Sequence, residues 1–132
     1  MEIRKYIESD LSSLNVLLND VYGIEKVICT TDNIELVAID REVVVGYLMI
    51  NKMHDSIRNI YYCMLNYVCV SKEYRRMGIA TKLFEEVFNI CRFENISYIE
   101  LTSNAARVEA HALYKKLGFI VRDTTVFRKE FI

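Results

Sequence analysis

The stretch Val68–Cys91 constrains the chain more than any other: V-C-V-S-K-E-Y-R-R-M-G-I-A-T-K-L-F-E-E-V-F-N-I-C. It reads as an apolar strand ending near Val70, a short basic turn, and an amphipathic helix from about Arg76 to Arg92. Ile79, Leu83, Val87 and Ile90 recur at helical spacing, with Ala80, Phe84 and Cys91 beside them. Lys82, Glu85, Glu86 and Asn89 take the other side, so one face is apolar and one polar. The turn Arg75-Arg76-Met77-Gly78-Ile79-Ala80 puts two cations and a glycine where the helix begins. A helix start offers unpaired N–H groups and the positive end of its dipole. Strand, glycine-containing turn and helix N-terminus together form a cradle for an anion such as a diphosphate.

A second pattern follows at a fitting distance, Ala110-His111-Ala112-Leu113-Tyr114-Lys115-Lys116-Leu117-Gly118-Phe119. Arg75-x-x-Gly78-x-Ala80 after a Val-x-Val strand resembles the acyl-CoA signature of the GNAT superfamily of N-acetyltransferases. The Ala-x-x-Leu-Tyr-x-x-x-Gly-Phe helix end resembles a second feature of that superfamily. The resemblance runs from the first strand to the last. It implies acetyl-CoA as cosubstrate, a primary amine as acceptor, and direct attack without an acyl-enzyme. By matching position it implies that Arg75, Arg76, Met77, Gly78, Ile79, Ala80 and Thr81 hold the diphosphate. Backbone groups of Val68, Cys69 and Val70 would meet the pantetheine arm, and Tyr114 would be general acid toward the thiolate. Asn104 and Arg107 are carried over as cofactor contacts, although Arg107 stands where the superfamily often has Asn. His111 shares a helix face with Tyr114 and reads as a packing or surface histidine.

The residues alone give the same architecture. Met1–Ile7 reads as a strand. Ser9 is expected to cap a helix with Leu11, Leu14, Leu17, Leu18 and Val21 inward and Gly23 at its end. Ile24–Asn33 is read as loop with a short helix, Ile34–Ile39 and Val43–Met53 as a hairpin, and His54–Asn59 as a polar loop. Ile60–Val70, apolar on both faces, is the central strand. Tyr98–Thr102 is a further strand, and Ser103–Arg107 a loop or helix start. Val108–Leu117 is a helix ended by Gly118, and Phe119–Arg122 and Val126–Phe131 are the last strands. The order predicts a single α/β (α+β) domain over residues 1–132 with a mixed sheet, and the resemblance implies that this sheet is mostly antiparallel with helices on both faces.

The 132 residues carry a formal net charge of −1 with both signs mixed, so no nucleic-acid partner is expected. No apolar run reaches the ~18 residues of a membrane helix. Cys29, Cys63, Cys69 and Cys91 show no C-x-x-C spacing, and Cys63 and Cys69 would stand about 20 Å apart on one strand. No leader is legible, so reduced, cytoplasmic thiols are expected. Two separated histidines predict no metal site. The last strand, at a sheet edge, could pair across a homodimer.

The general base is where the sequence departs from many relatives, in which a glutamate stands on the central strand. Between Asn59 and Ser71 there is no carboxylate. Asn66, Tyr62 and Tyr67 are the polar candidates, Asn66 being read rather as a bulge marker or packing residue. Glu25 or Asp32 could attract a cationic acceptor, and the acceptor expected is a small molecule or terminal α-amine. Cys69 as nucleophile has no placed base. The absent carboxylate leaves a second reading, a non-catalytic CoA-binding or regulatory module on the same fold.

Overall fold

The computed structural model describes residues 1–28 and 33–132; Cys29 and Asp32 lie outside them. The chain forms two compact units, Met1–Thr102 and Ser103–Ile132. The first carries β1 (Glu2–Lys5), α1 (Leu11–Tyr22), β2 (Ile34–Asp40), β3 (Val43–Asp55), β4 (Ile60–Val70), α2 (Ile79–Phe93) and β5 (Ile99–Leu101). The second carries α3 (Val108–Lys116). The fold is mixed α/β, and its sheet runs β1-β2-β3-β4-β5. Every neighbouring pair is antiparallel except β4 and β5.

The β2–β3 hairpin closes through Arg41 and Glu42 alone, at φ 51° and 67°. Two left-handed residues in succession match the twist of the flanking strands, as a two-residue hairpin requires. Side chains alternate across a strand, so Val37 and Tyr47 point one way and Ala38 and Gly46 the other. Leu14, Leu17 and Leu18 of α1 pack with Val37, Tyr47 and Cys69 in one core cluster. On the opposite face, a β-carbon at Gly46 would meet Ala38 Cβ at 3.2 Å, Ile79 Cγ2 at 3.1 Å and Leu83 Cδ1 at 3.2 Å. Glycine there lets α2 lie close against the strand, so α1 and α2 cover opposite faces of the sheet.

Three local expectations are corrected. Ser9 does not cap α1; a short 3-10 turn over Glu8–Asp10 precedes it, and Asp10 is the N-cap residue. Helix α2 begins at Ile79 rather than Arg76, because Arg76 (φ 64°) and Gly78 (φ 77°) are left-handed and no right-handed helix passes through them. The two strands expected over Phe119–Arg122 and Val126–Phe131 do not form. From Phe119 onward the chain has no regular structure, and Ile120, Val121, Val126, Phe127 and Phe131 are exposed. Alternating β-branched and aromatic residues give propensity, but a strand exists only with a hydrogen-bonded partner, which local pattern cannot supply.

Candidate active site

The sheet is irregular on β4, where the pantetheine contacts are expected. Tyr47 pairs with Cys69 and Met49 with Asn66, so Tyr67 and Val68 together oppose Leu48. This is a β-bulge. The left-handed residue in it is Tyr67, at φ 56°. Asn66, read from sequence as a bulge marker or packing residue, keeps its partner and donates through Nδ2 to Asn51 Oδ1 at 2.9 Å. The Val68 carbonyl accepts from the Tyr22 hydroxyl at 3.0 Å, and the Tyr22 and Tyr67 rings meet edge to face at 5.5 Å. On the other side of β4, pairing with β5 spans only Cys63–Leu65. Among the described residues the stretch Asn66–Val70 is therefore flanked by a strand on one side only.

Beyond Val70 the chain makes a 3-10 turn at Lys72–Tyr74, anchored where the Tyr74 hydroxyl donates to Asp40 Oδ2 at 2.8 Å. Arg75 then folds back and donates from Nε to the Val70 carbonyl at 3.2 Å. The basic turn and the bulged strand are thus joined by a charge-assisted hydrogen bond. Gly78 is the N-cap residue of α2 with no side-chain cap, and a β-carbon there would have no atom within 4 Å. The first helical bond runs from Lys82 N–H to the Gly78 carbonyl at 3.1 Å. The N–H groups of Ile79, Ala80 and Thr81 consequently have no acceptor within the helix. Open space, three aligned donors and the exposed Arg75 and Arg76 suit an anion such as a diphosphate. Ile79 itself is buried and can offer only its N–H. Met77 is 60 % exposed beside the cradle.

In the second unit Asn104 shapes its loop, its Oδ1 accepting the Ala106 N–H at 2.8 Å and its carbonyl the Arg107 N–H at 3.0 Å. Arg107 is the N-cap residue of α3. Tyr114 is 7 % exposed. Its ring centre lies 6.4 Å from that of His111 and 5.9 Å from that of Phe119. Burial pushes the Tyr114 phenol above its ordinary value, with the Arg107 charge acting weakly the other way.

The polar candidates for a base do not gather on β4. Tyr62 stacks on Tyr98 with ring centres 4.9 Å apart, Asn66 is tied to Asn51, and Glu25 is exposed. Sequence reasoning passed over Glu35. It lies on β2, 8 % exposed, and its Oε1 accepts the Tyr47 hydroxyl. The signal was there, since Glu35 is two residues from the buried Val37 and so on its face. A charge on the inward face of an otherwise apolar strand is seldom accidental.

Cys63, Cys69 and Cys91 are buried free thiols. Burial, reinforced by Cys91 nearby, pushes the Cys63 thiol up to about 12. At about pH 8 roughly one molecule in ten thousand then carries the Cys63 thiolate. Native protein treated with iodoacetamide is expected to stay unmodified at Cys63 and Cys91 by mass spectrometry, with both alkylated once urea is added. Alkylation of the folded protein as fast as of a free thiol would contradict the packing described.

The profile of the acetyltransferase (GNAT) family matches residues 10–119, and the chain belongs to that family. Solved structures share its fold. An acetyltransferase from Trypanosoma brucei is 21% identical, with a TM-score of 0.84 and coverage of 98% of this chain and 99% of that one. Ribosomal-protein-alanine N-acetyltransferase from Brucella melitensis is 15% identical, with a TM-score of 0.83 and coverage of 99% and 100%. An aminoglycoside N-acetyltransferase in complex with CoA is 16% identical, with a TM-score of 0.81 and coverage of 99% and 100%. No curated protein sequence matches the chain. Among the described residues no helix is long and apolar enough to cross a membrane.

Proposed function

We propose that residues 1–132 act as one N-acetyltransferase domain that moves an acetyl group from acetyl-CoA to a primary amine by direct attack. The observation that carries this is the Arg75–Thr81 turn. Its left-handed glycine, open space and unpaired N–H groups front a helix whose preceding strand is bulged and tied to Arg75. The donors fix the diphosphate, and the open edge of β4 offers Val68, Cys69 and Val70 to the pantetheine arm. The amine attacks the thioester carbonyl, the C–S bond breaks, Tyr114 protonates the leaving thiolate, and the proton that the nitrogen sheds passes through solvent and restores the Tyr114 phenol. Asn104 and Arg107 are the second unit's proposed cofactor contacts. The acceptor is a small molecule or a terminal α-amine, and the compartment is the cytoplasm. The fold does not choose the acceptor, since the solved relatives are named for acceptors as unlike as a ribosomal protein and an aminoglycoside.

The lack of a carboxylate on β4 favours a second reading, a module that binds CoA without turnover. One screen separates the two: release of CoA thiol from acetyl-CoA with polyamines, amino acids, aminoglycosides and peptide N-termini. Turnover with any of them supports the enzyme. CoA binding without turnover across the panel leaves the module.

Gly78→Asp tests the cradle. It sets a carboxylate against the diphosphate, and Asp tolerates the left-handed backbone better than most residues. The affinity for CoA is expected to fall at least tenfold, about 1.4 kcal/mol, by calorimetry. Unchanged affinity in a folded variant would remove the cradle from the mechanism.

A further inference from the structure

Beside the bulge of β4 lies a pocket of about 210 Å³, with Leu18, Val27, Met49 and Tyr67 in its walls and Glu35 and Tyr47 on the sheet face. Nothing in the transfer chemistry above uses Glu35. A carboxylate has room for about four hydrogen bonds. Among the described residues, the Glu35 carboxylate accepts one, from the Tyr47 hydroxyl, and has no ion-pair partner. Lys26 also lines the pocket but is exposed. A carboxylate this buried, with lone pairs to spare and an open pocket beside it, is costly unless a cation is meant to join it.

We propose that Glu35 and Tyr47 form a docking site for an ammonium group of the acceptor, distinct from the amine that is acetylated. The inference rests on the acetyltransferase reading and narrows its substrate class. The two amines must differ, because a carboxylate stabilises the charged form and an ammonium has no lone pair with which to attack. Tyr67 ties the pocket to the reaction. It lines the pocket and is the left-handed residue of the bulge, next to Val68 and Cys69. An acceptor anchored at Glu35 through an apolar stem therefore extends its other end along the bulged strand. The class this selects is an aliphatic amine with a second cationic group, such as a diamine.

The test compares cadaverine with n-pentylamine, which share a chain length and differ by the second ammonium. Wild-type KM for cadaverine is expected to be at least tenfold lower. Glu35→Gln should raise it to the n-pentylamine value while leaving KM for n-pentylamine and the affinity for CoA unchanged. Equal KM for the two amines in the wild type, or a variant that weakens both alike, overturns the proposal and leaves acetyl transfer standing. The wild-type comparison needs no variant, so it decides the matter even if Glu35→Gln does not fold. A second readout needs no turnover. With methyl-labelled methionine and saturating CoA, cadaverine should shift the Met49 methyl resonance in the wild type at concentrations where n-pentylamine does not. That shift without any acetylation would keep the docking site and sink the transferase reading. Absence of the shift overturns the docking site.

Discussion

Tyr114→Phe is expected to lower kcat about a hundredfold or more while leaving KM for acetyl-CoA nearly unchanged. The substitution keeps the ring, and with it the packing beside His111 and Phe119, and removes the hydroxyl that carries the proton. A hundredfold loss is about 2.7 kcal/mol of barrier, within the range of a single general acid. Burial holds the phenol above its ordinary value near ~10. Tyr114 therefore keeps its proton to higher pH than a free phenol, and kcat should show no descending limb at neutral or mildly alkaline pH from its ionisation. A sharper check uses the leaving group. A thioester with a more acidic thiol needs less protonation, so the gap between wild type and variant should narrow on such a donor. Equal kcat in the two proteins with acetyl-CoA would reduce Tyr114 to a packing residue.

What could be read in advance follows from how local each cause is. The glycine turn before α2 was legible because Gly78 answers a backbone need that one residue expresses by itself, φ 77° at a helix start. The hairpin and the α1 and α2 faces were legible because period-two and helical spacings are written into short windows. The bulge, one of two readings of Asn66, lies one residue further on. Asn66 is the better left-handed residue by propensity, but the register between Tyr47 and Met49 puts the extra residue at Tyr67, and register belongs to the pair of strands. The last two strands were predicted from propensity without a partner, and they fail for that reason. Glu35 stands outside β4, the strand on which the resemblance implies a base. The carboxylate lies two strands away and reaches the bulge's surroundings only once β2 and β3 pair Glu35 with Met49.

Asp10→Ala is expected to cost about 2–3 kcal/mol of stability, the loss of a part-buried, charge-assisted set of hydrogen bonds. Asp10 Oδ2 accepts Arg4 Nη1 at 2.7 Å and the Ile7 N–H at 2.9 Å, and Oδ1 accepts Arg4 Nη2 at 2.8 Å. This clamp joins β1 to the start of α1, the helix that supplies Leu14, Leu17 and Leu18 to the core. By contrast, the pair between Arg4 and the exposed Glu2 at 3.0 Å contributes little. The Arg4 guanidinium holds the Asp10 carboxyl below the usual carboxylate range, burial opposing it more weakly. A carboxyl depressed in the folded state stabilises that state fully above the unfolded value, near ~3.9, and less as pH falls through the folded value. Thermal melts should therefore show Asp10→Ala well below wild type at neutral pH, by roughly 5–10 °C. The gap should close progressively below about pH 4, as wild type takes up the proton that the variant cannot bind. A gap of the same size at both ends would mean that the loss is one of shape at the β1–α1 junction, and that the ion pair contributes nothing to holding it.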